Sequence, residues 1–309
     1  MVGTHSLRRR VTLSALVLLC ATALPAVGYA AACCGGASPT AAFSLPTGYR
    51  YSLGVSLRYS SDLALRDDAG ARFDPGTQLH ESRLVLGGAW QARERWQLGA
   101  SLPLIVGTQA YRAAPRDTWV GHGDLFVESR TAIVREETCY ARPMTEMAWD
   151  ELKPDITWVL GVRVPLSARW SDPAGLSIDP GRSALETGVD ITKVWGRLGN
   201  AGSLRAGWDR GWRAPALSDL STLRLEASLS QLVYIAYQRY VGAYGAYRSR
   251  WGLGDNLERN DSVALGLLGG VVLAKPQLRL VGSVALDGVT GRSTAVSPLL
   301  SLTVVRLMY

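Results

Sequence analysis

The chain has 309 residues, 47% of them hydrophobic, and a formal net charge of +7. Residues 1–32 hold three arginines and no acidic residue, so the rest of the chain carries only +4. Nucleic-acid-binding proteins usually show a clustered basic footprint, which this weak and dispersed charge lacks, and we expect no nucleic-acid partner. Beyond residue 32 no apolar run reaches the ~20 residues of a helical membrane span. This pattern leaves two classes, a soluble β-protein or a membrane β-barrel.

The N-terminus has the layout of a secretory signal peptide. The arginines Arg8 to Arg10 precede an apolar run at 11–24, Pro25 ends the run, and small residues follow. We expect residues 1–32 to be removed on export, with cleavage after Ala30 or Ala32. An uncleaved anchor is the alternative, although the run is short for a span.

Residues 33–48 are predicted to form a short periplasmic segment that precedes a barrel at 49–309. This segment holds two adjacent cysteines, Cys33 and Cys34, and Cys139 is the third after the signal peptide. Lipidation of Cys33 and a disulfide from either neighbour to Cys139 both remain open, since an oxidising compartment permits such a bond.

From residue 50 onward the sequence alternates with the period of a β-strand. In 50–59, Tyr51, Leu53 and Val55 fall on one face, and Ser52 and Ser56 fall on the other. The same alternation recurs at 80–91, 95–104, 124–134, 155–165, 184–194, 203–209, 222–230, 234–247, 262–273, 278–286 and 299–309. These segments make about twelve strands and predict an all-β fold, a transmembrane antiparallel up-and-down β-barrel.

The connections between these segments alternate in length. Long polar connections are predicted at 61–78, 105–121, 166–183, 210–220, 248–260 and 287–298, and short turns at 92–94, 196–202, 231–233 and 274–277. Long loops at one end and tight turns at the other are typical of outer-membrane barrels, and an even strand number places both termini in the periplasm. Residues 135–154 are the exception. They are too long for a periplasmic turn, so they form an excursion there or the strand count is wrong.

The aromatic residues favour a membrane protein over a soluble β-sandwich. The chain has 10 Trp and 12 Tyr but only 3 Phe, and amphipathic aromatics concentrate where a membrane meets water. Those near predicted strand ends are Tyr51, Trp90, Trp96, Trp208 and Tyr309. An alternating last strand ending in Tyr309 also resembles the C-terminal signature of outer-membrane barrels. We therefore expect two partners, outer-membrane lipid and the barrel assembly machinery.

Polar residues on the inward faces of the strands are the candidate transport residues. The alternation places these charged side chains in the lumen: Arg50, Arg58, Glu81, Arg83, Glu128, Arg130, Arg163, Glu186, Asp190, Arg224 and Glu226. One interpretation is a polar pathway whose charges select solutes. The other is a set of Arg–carboxylate pairs that fills a narrow lumen, because twelve strands leave limited interior space.

Enzymatic chemistry has little support in the sequence. Beyond the signal peptide the two histidines, His80 and His122, fall at strand ends, and no metal-ligand spacing or phosphate-binding glycine loop occurs. We expect no cofactor, no metal and no enzymatic activity. A barrel hydrolase that uses His122 is kept as a third hypothesis, because such an enzyme needs a serine beside a histidine.

Two short motifs resemble the putative outer-membrane transporter family named after the MetA pathway of phenol degradation. Gly121-His-Gly-Asp-Leu125 matches its Gly-x-Gly-Asp-Leu strand opening, with Asp124 as the matching acid, and Leu160–Pro165 matches the strand that follows. Here Pro165-Leu-Ser replaces the family's Pro-Thr-Gly-like turn. The resemblance implies a monomeric barrel that passes small, often hydrophobic molecules. We therefore expect a channel or transporter for small molecules, with a non-transporting scaffold or partner-binding barrel as the alternative.

Overall fold

The computed structural model describes residues 43–45, 49–67, 69–74, 76–111, 117–134, 153–166, 168–169, 182–195, 198–211, 221–236, 239–253, 259–273, 277–292 and 294–309. Sixteen strands occur in these ranges: β1 Tyr51–Ser61, β2 Ala64–Arg66, β3 Arg72–Phe73, β4 Thr77–Arg93, β5 Trp96–Tyr111, β6 Asp117–His122, β7 Leu125–Val134, β8 Asp155–Val164, β9 Ala168–Arg169, β10 Arg182–Trp195, β11 Leu198–Gly211, β12 Ser221–Ala236, β13 Arg239–Leu253, β14 Arg259–Leu273, β15 Leu278–Arg292 and β16 Thr294–Met308. No helix in the described ranges is long and apolar enough to span a membrane.

Twelve of these strands form a closed antiparallel wall in chain order, because the last strand pairs with the first. The order is β1, β4, β5, β7, β8 and then β10 to β16. Strand β16 pairs with β1 over ten residues, from Tyr51 opposite Met308 to Ser60 opposite Leu299. The strands β2, β3, β6 and β9 are short additions at one end of the wall. The predicted β-barrel of about twelve strands is confirmed.

The two ends of the barrel differ. The start of β1 and the end of β16 lie at one end, together with the connections β4–β5, β10–β11, β12–β13 and β14–β15, and we call it the terminus end. The opposite end, the loop end, carries the short strands. The predicted excursion 135–154 connects β7 to β8 at the terminus end. The strand count therefore does not fail there, and residues 135–152 lie outside the described residues.

Two tyrosine rings stack at the terminus end, beside the strand pair β1 and β16. The rings of Tyr49 and Tyr309 stack with centroids 4.8 Å apart. Burial and the hydrogen bond with Tyr309 raise the pKa of Tyr49 to about 12. The contact joins the residues that flank the closing strand pair, and we call it the tyrosine clasp.

The barrel is apolar outside and polar inside, the reverse of a soluble protein. On β1, Leu53 is 63% exposed, whereas the neighbouring inward residues Ser52 and Ser56 are 1% and 0% exposed. On β12 the outward Leu229 is 74% exposed. The predicted interface aromatics Tyr51, Trp90, Trp96, Trp208 and Tyr309 are all exposed. An apolar outer belt with aromatics near the strand ends fits a barrel surrounded by lipid.

Several predicted connections are in fact strand. The turn predicted at 231–233 lies inside β12, which continues to Ala236, and the loop predicted at 287–298 is almost absent, since β15 ends at Arg292 and β16 begins at Thr294. Strand β13 runs six residues into the loop predicted at 248–260. These boundaries were wrong because inward polar residues and glycines interrupt the apolar pattern without ending the strand.

The predicted signal peptide 1–32 and Cys33, Cys34 and Cys139 lie outside the described residues. Of the predicted periplasmic segment 33–48, only residues 43–45 are described.

Candidate functional site: the barrel interior

A network of paired charges covers the interior side of β7, β10, β11 and β12. Its centre is Asp190, which accepts hydrogen bonds from Arg130 and from Arg205. The Arg205 Nη2 atom lies 2.7 Å from Asp190 Oδ1 and 2.8 Å from Oδ2. All three side chains are less than 10% exposed. A carboxylate held by two arginines in this way is satisfied on both oxygens.

The network continues along the wall in both directions. Glu186 accepts a hydrogen bond from Arg224 and lies 3.9 Å from Arg205. On the other side, Arg130 Nη1 is 3.6 Å from Glu128 Oε2. We call this set the paired wall: Glu128, Arg130, Glu186, Asp190, Arg205 and Arg224. It holds three positive and three negative charges, so it presents little net charge to a solute.

Further pairs occupy the rest of the interior. Arg248 on β13 lies 3.7 Å from Glu226 and donates a hydrogen bond of 2.6 Å to Asp287 on β15. Arg83 donates to Glu81 on the same strand. These contacts join two arginines to three carboxylates, which fits the predicted Arg–carboxylate filling.

Two inward arginines differ from the others. Arg58 on β1 and Arg163 on β8 make no ion pair or hydrogen bond with any side chain among the described residues. Arg58 is exposed although it lies on the inward face between Ser56 and Ser60. Since the outward face of β1 carries Leu57 and Tyr59, the exposed surface of Arg58 faces the interior. The lumen beside Arg58 is therefore open to water.

The described N-terminal residues lie inside the barrel near the terminus end. Phe43, Ser44 and Leu45 form a segment that we call the strap, and Ser44 and Leu45 are 6% and 5% exposed. The Leu45 amide donates to Gln97 Oε1 at 3.3 Å, and Gln97 Nε2 donates to the Leu45 carbonyl at 3.1 Å. This reciprocal pair fixes the strap to β5.

The strap is also held by β1, β4 and β15. Ser52 Oγ donates to the Phe43 carbonyl at 2.8 Å, and Arg279 Nη2 donates to the Ser44 carbonyl at 3.1 Å. The Phe43 ring covers Gly87 so closely that a Cβ at Gly87 would lie 2.7 Å from it. Glycine in a strand often marks such a close approach. The strap is thus built into the interior of one arc of the wall.

An apolar cluster faces the interior from a different arc. Leu232, Tyr234, Tyr240 and Leu268 are each less than 10% exposed and pack together. The rings of Tyr234 and Tyr240 lie 5.6 Å apart between centroids. These residues come from β12, β13 and β14 close to the turns at the terminus end. Strap and cluster together narrow the lumen there.

The sequence therefore predicted the direction of the charged side chains but not all of them. Arg58, Glu81, Arg83, Glu128, Arg130, Arg163, Glu186, Asp190, Arg224 and Glu226 all lie on inward faces. Arg50 precedes β1 and is exposed. Asp124 lies between β6 and β7 and is 4% exposed.

Interior charges that the sequence prediction missed include Arg205, Arg248, Asp287 and Arg279. Arg205 sits at an inward position of a predicted strand, next to Ser203 in the same alternation, and that signal could have found it. Arg248 and Asp287 were assigned to loops because the strand boundaries were wrong. Arg279 follows a turn and is 4% exposed.

The two histidines make local contacts at the loop end. His80 Nδ1 lies 3.1 Å from the Tyr59 hydroxyl, and the two rings stack. His122 Nδ1 lies 3.2 Å from the Gly123 carbonyl. Neither contact involves a serine, so neither gives the nucleophile–base pair of a hydrolase.

Comparison with solved structures identifies the fold. The COG4313 outer membrane channel from Pseudomonas putida F1 aligns with a TM-score of 0.65 at 14% identity, over 88% of this chain and 99% of the channel. The beta domain of the Bordetella autotransporter BrkA aligns with a TM-score of 0.50 at 13% identity, over 83% of this chain and all of that domain. No family model and no curated protein matches the sequence. The chain thus has the β-barrel fold of these outer-membrane proteins.

Proposed function

We propose that this chain is an outer-membrane channel for small molecules. The observation that carries the proposal is the reversed distribution of polarity. Outward leucines such as Leu229 are exposed, while charged side chains face a lumen in which Arg58 remains open to water. An apolar belt suits lipid, and a polar interior suits a solute pathway.

The same proposal fixes the orientation. In outer-membrane barrels the short turns and the termini lie on the periplasmic side. The terminus end would therefore face the periplasm and the loop end the outside. A solute entering from outside would pass the charged middle of the lumen before it reaches the strap.

The finer proposal is membership of the transporter family of the MetA-pathway type. Its support is the Gly121–Leu125 motif together with the fold likeness to the COG4313 outer membrane channel. Membership would make small, often hydrophobic molecules the solute class. The solute itself is left to experiment.

Uptake into proteoliposomes tests the channel proposal. Purified chain, reconstituted into liposomes, should admit neutral solutes of graded size and exclude those above a cutoff. Liposomes without protein, and liposomes with a folded barrel of known impermeability, are the controls. A correctly folded chain that admits none of the solutes would contradict the proposal.

A non-transporting barrel is the second candidate, and the paired wall favours it. Arg224 pairs with Glu186, and Glu226 pairs with Arg248, so the two residues serve different ion pairs. If the pairs seal the lumen, the double substitution Arg224→Ala and Glu226→Ala should create solute uptake that the wild type lacks. Equal uptake by both proteins would contradict the sealed-lumen model.

We also propose that β16 is the segment that the barrel assembly machinery recognises. The strand closes the barrel against β1, and the exposed Tyr309 follows it directly. Removing Tyr309 should slow membrane assembly in cells, measured by heat-modifiable electrophoretic mobility over time. Wild-type assembly kinetics for the truncated chain would contradict this assignment.

A further inference from the structure

Arg58 is an interior arginine whose charge is not balanced by a carboxylate. In the strand register it stands directly opposite Arg83, whose own partner is Glu81. Among the described residues, no hydrogen bond or ion pair reaches the Arg58 guanidinium. Its five N–H donors are therefore open to solvent or solute.

The guanidinium also faces groups from the other side of the lumen. Tyr244, Arg248 and Glu226 on β12 and β13 lie within electrostatic range of it. Three strands separate β13 from β1 on the nearer path round the wall, so these groups approach Arg58 across the interior. Two of the nearby charges, Arg83 and Arg248, have the same sign as Arg58.

The ion pairs around Arg58 show which arginine of this group remains open to a solute. Arg83 forms an ion pair with Glu81, and Arg248 forms ion pairs with both Glu226 and Asp287. The three arginines and three carboxylates of this group balance in charge, but each carboxylate contacts Arg83 or Arg248 and none contacts Arg58. A planar carboxylate matches the guanidinium fork with two parallel hydrogen bonds.

We propose that Arg58 binds the carboxylate of a small monoanionic solute in the middle of the lumen. The inference rests on the proposed channel function and adds a solute class to it, molecules that carry one carboxylate. Arg83 and Arg248 keep other cations away by repulsion, while their own carboxylates prevent a strongly charged polyanion from being favoured. The paired wall offers no equivalent site, because its arginines already hold carboxylates.

The first test is direct binding to the folded barrel in detergent micelles, which does not require transport. Saturation-transfer NMR compares propionate with propionamide, its neutral analogue. We expect propionate to bind and propionamide not to bind. Removal of a charge-assisted hydrogen bond in Arg58→Gln should weaken propionate binding about ten-fold. Arg58→Lys, which keeps the charge but loses the fork, should fall between the two.

The control variant is Arg95→Gln. It makes the same chemical change at an exposed arginine in the β4–β5 turn, and its propionate binding should equal that of the wild type. Heat-modifiable mobility establishes that each variant is folded. Equal propionate binding in wild type and Arg58→Gln would overturn the inference, as would equal binding of propionate and propionamide to the wild type.

The second test is ion selectivity in planar bilayers under a salt gradient. Arg58→Gln should shift the reversal potential toward potassium selectivity, and Glu226→Gln should shift it toward chloride selectivity because an acid near Arg58 is removed. An unchanged reversal potential in Arg58→Gln would contradict the inference. Absence of any current in wild type would contradict the channel proposal instead, and propionate binding in micelles would still decide the role of Arg58.

Discussion

Two regions of the barrel interior carry arginines in different ways. On the paired wall, Arg130 and Arg205 share Asp190, and each side chain is nearly inaccessible to solvent. On the β1 side, Arg58 is exposed to the lumen and has no partner among the described residues. The same residue type thus serves as a structural cross-link between strands in one region and remains available to a solute in the other. Inward direction alone does not tell which role an arginine has.

The largest expected effect comes from removing the centre of the paired wall. Asp190→Ala leaves two buried arginines without their shared carboxylate, and breaking a buried pair in this way typically costs about 3–5 kcal/mol. Arg58→Ala removes no partner and should change the free energy of unfolding by less than about 1 kcal/mol. Denaturant unfolding in micelles, followed by tryptophan fluorescence, measures both. Similar losses for the two variants would remove the distinction between the regions.

The next effect concerns the strap, which lies on the same side of the lumen as Arg58. The double substitution Phe43→Ala and Gln97→Ala removes the ring over Gly87 and both side-chain hydrogen bonds to Leu45. Loss of a constriction should raise solute uptake into proteoliposomes roughly two-fold or more. Leu53→Ala is the control, since it removes an apolar side chain from the outer surface. Unchanged uptake in the strap variant would show that the strap does not narrow the path.

The smallest effect is expected at the tyrosine clasp. The raised pKa of Tyr49 means that folding favours its protonated form. The stabilisation that protonated Tyr49 contributes to the fold is therefore complete below the ordinary tyrosine pKa of 10.0. It is lost as pH rises toward about 12. Tyr309→Phe should cost about 0.5–1.5 kcal/mol at pH 8, because it removes one hydrogen bond. The difference from wild type should shrink when unfolding is measured near pH 12, and a constant difference would contradict the linkage.

Local sequence pattern predicted the barrel and the direction of most interior charges, because alternation along a strand is a property of neighbouring residues. It could not predict that Arg130 pairs with Asp190, which lies 60 residues away on a different strand. That pairing depends on the register of several strands and on the curvature of the wall. The strap has no periodicity at all, so its place in the lumen appears only in the folded chain.

The misplaced strand ends have a physical cause as well. Arg248 and Asp287 were assigned to loops because charged residues and glycine are frequent in loops. Inside this barrel they form an ion pair between two strands, with 2.6 Å between Arg248 Nη1 and Asp287 Oδ2. A polar lumen permits charges within strands that a soluble sheet would exclude.

Single-channel current through the purified, folded chain in a planar bilayer decides whether this barrel is a channel. Wild type should give discrete current steps of small conductance, because the strap and the apolar cluster narrow the lumen at the terminus end. The Phe43→Ala and Gln97→Ala double variant should give larger steps in the same bilayer. Folded wild-type and variant barrels that insert into the membrane and pass no current would contradict the account.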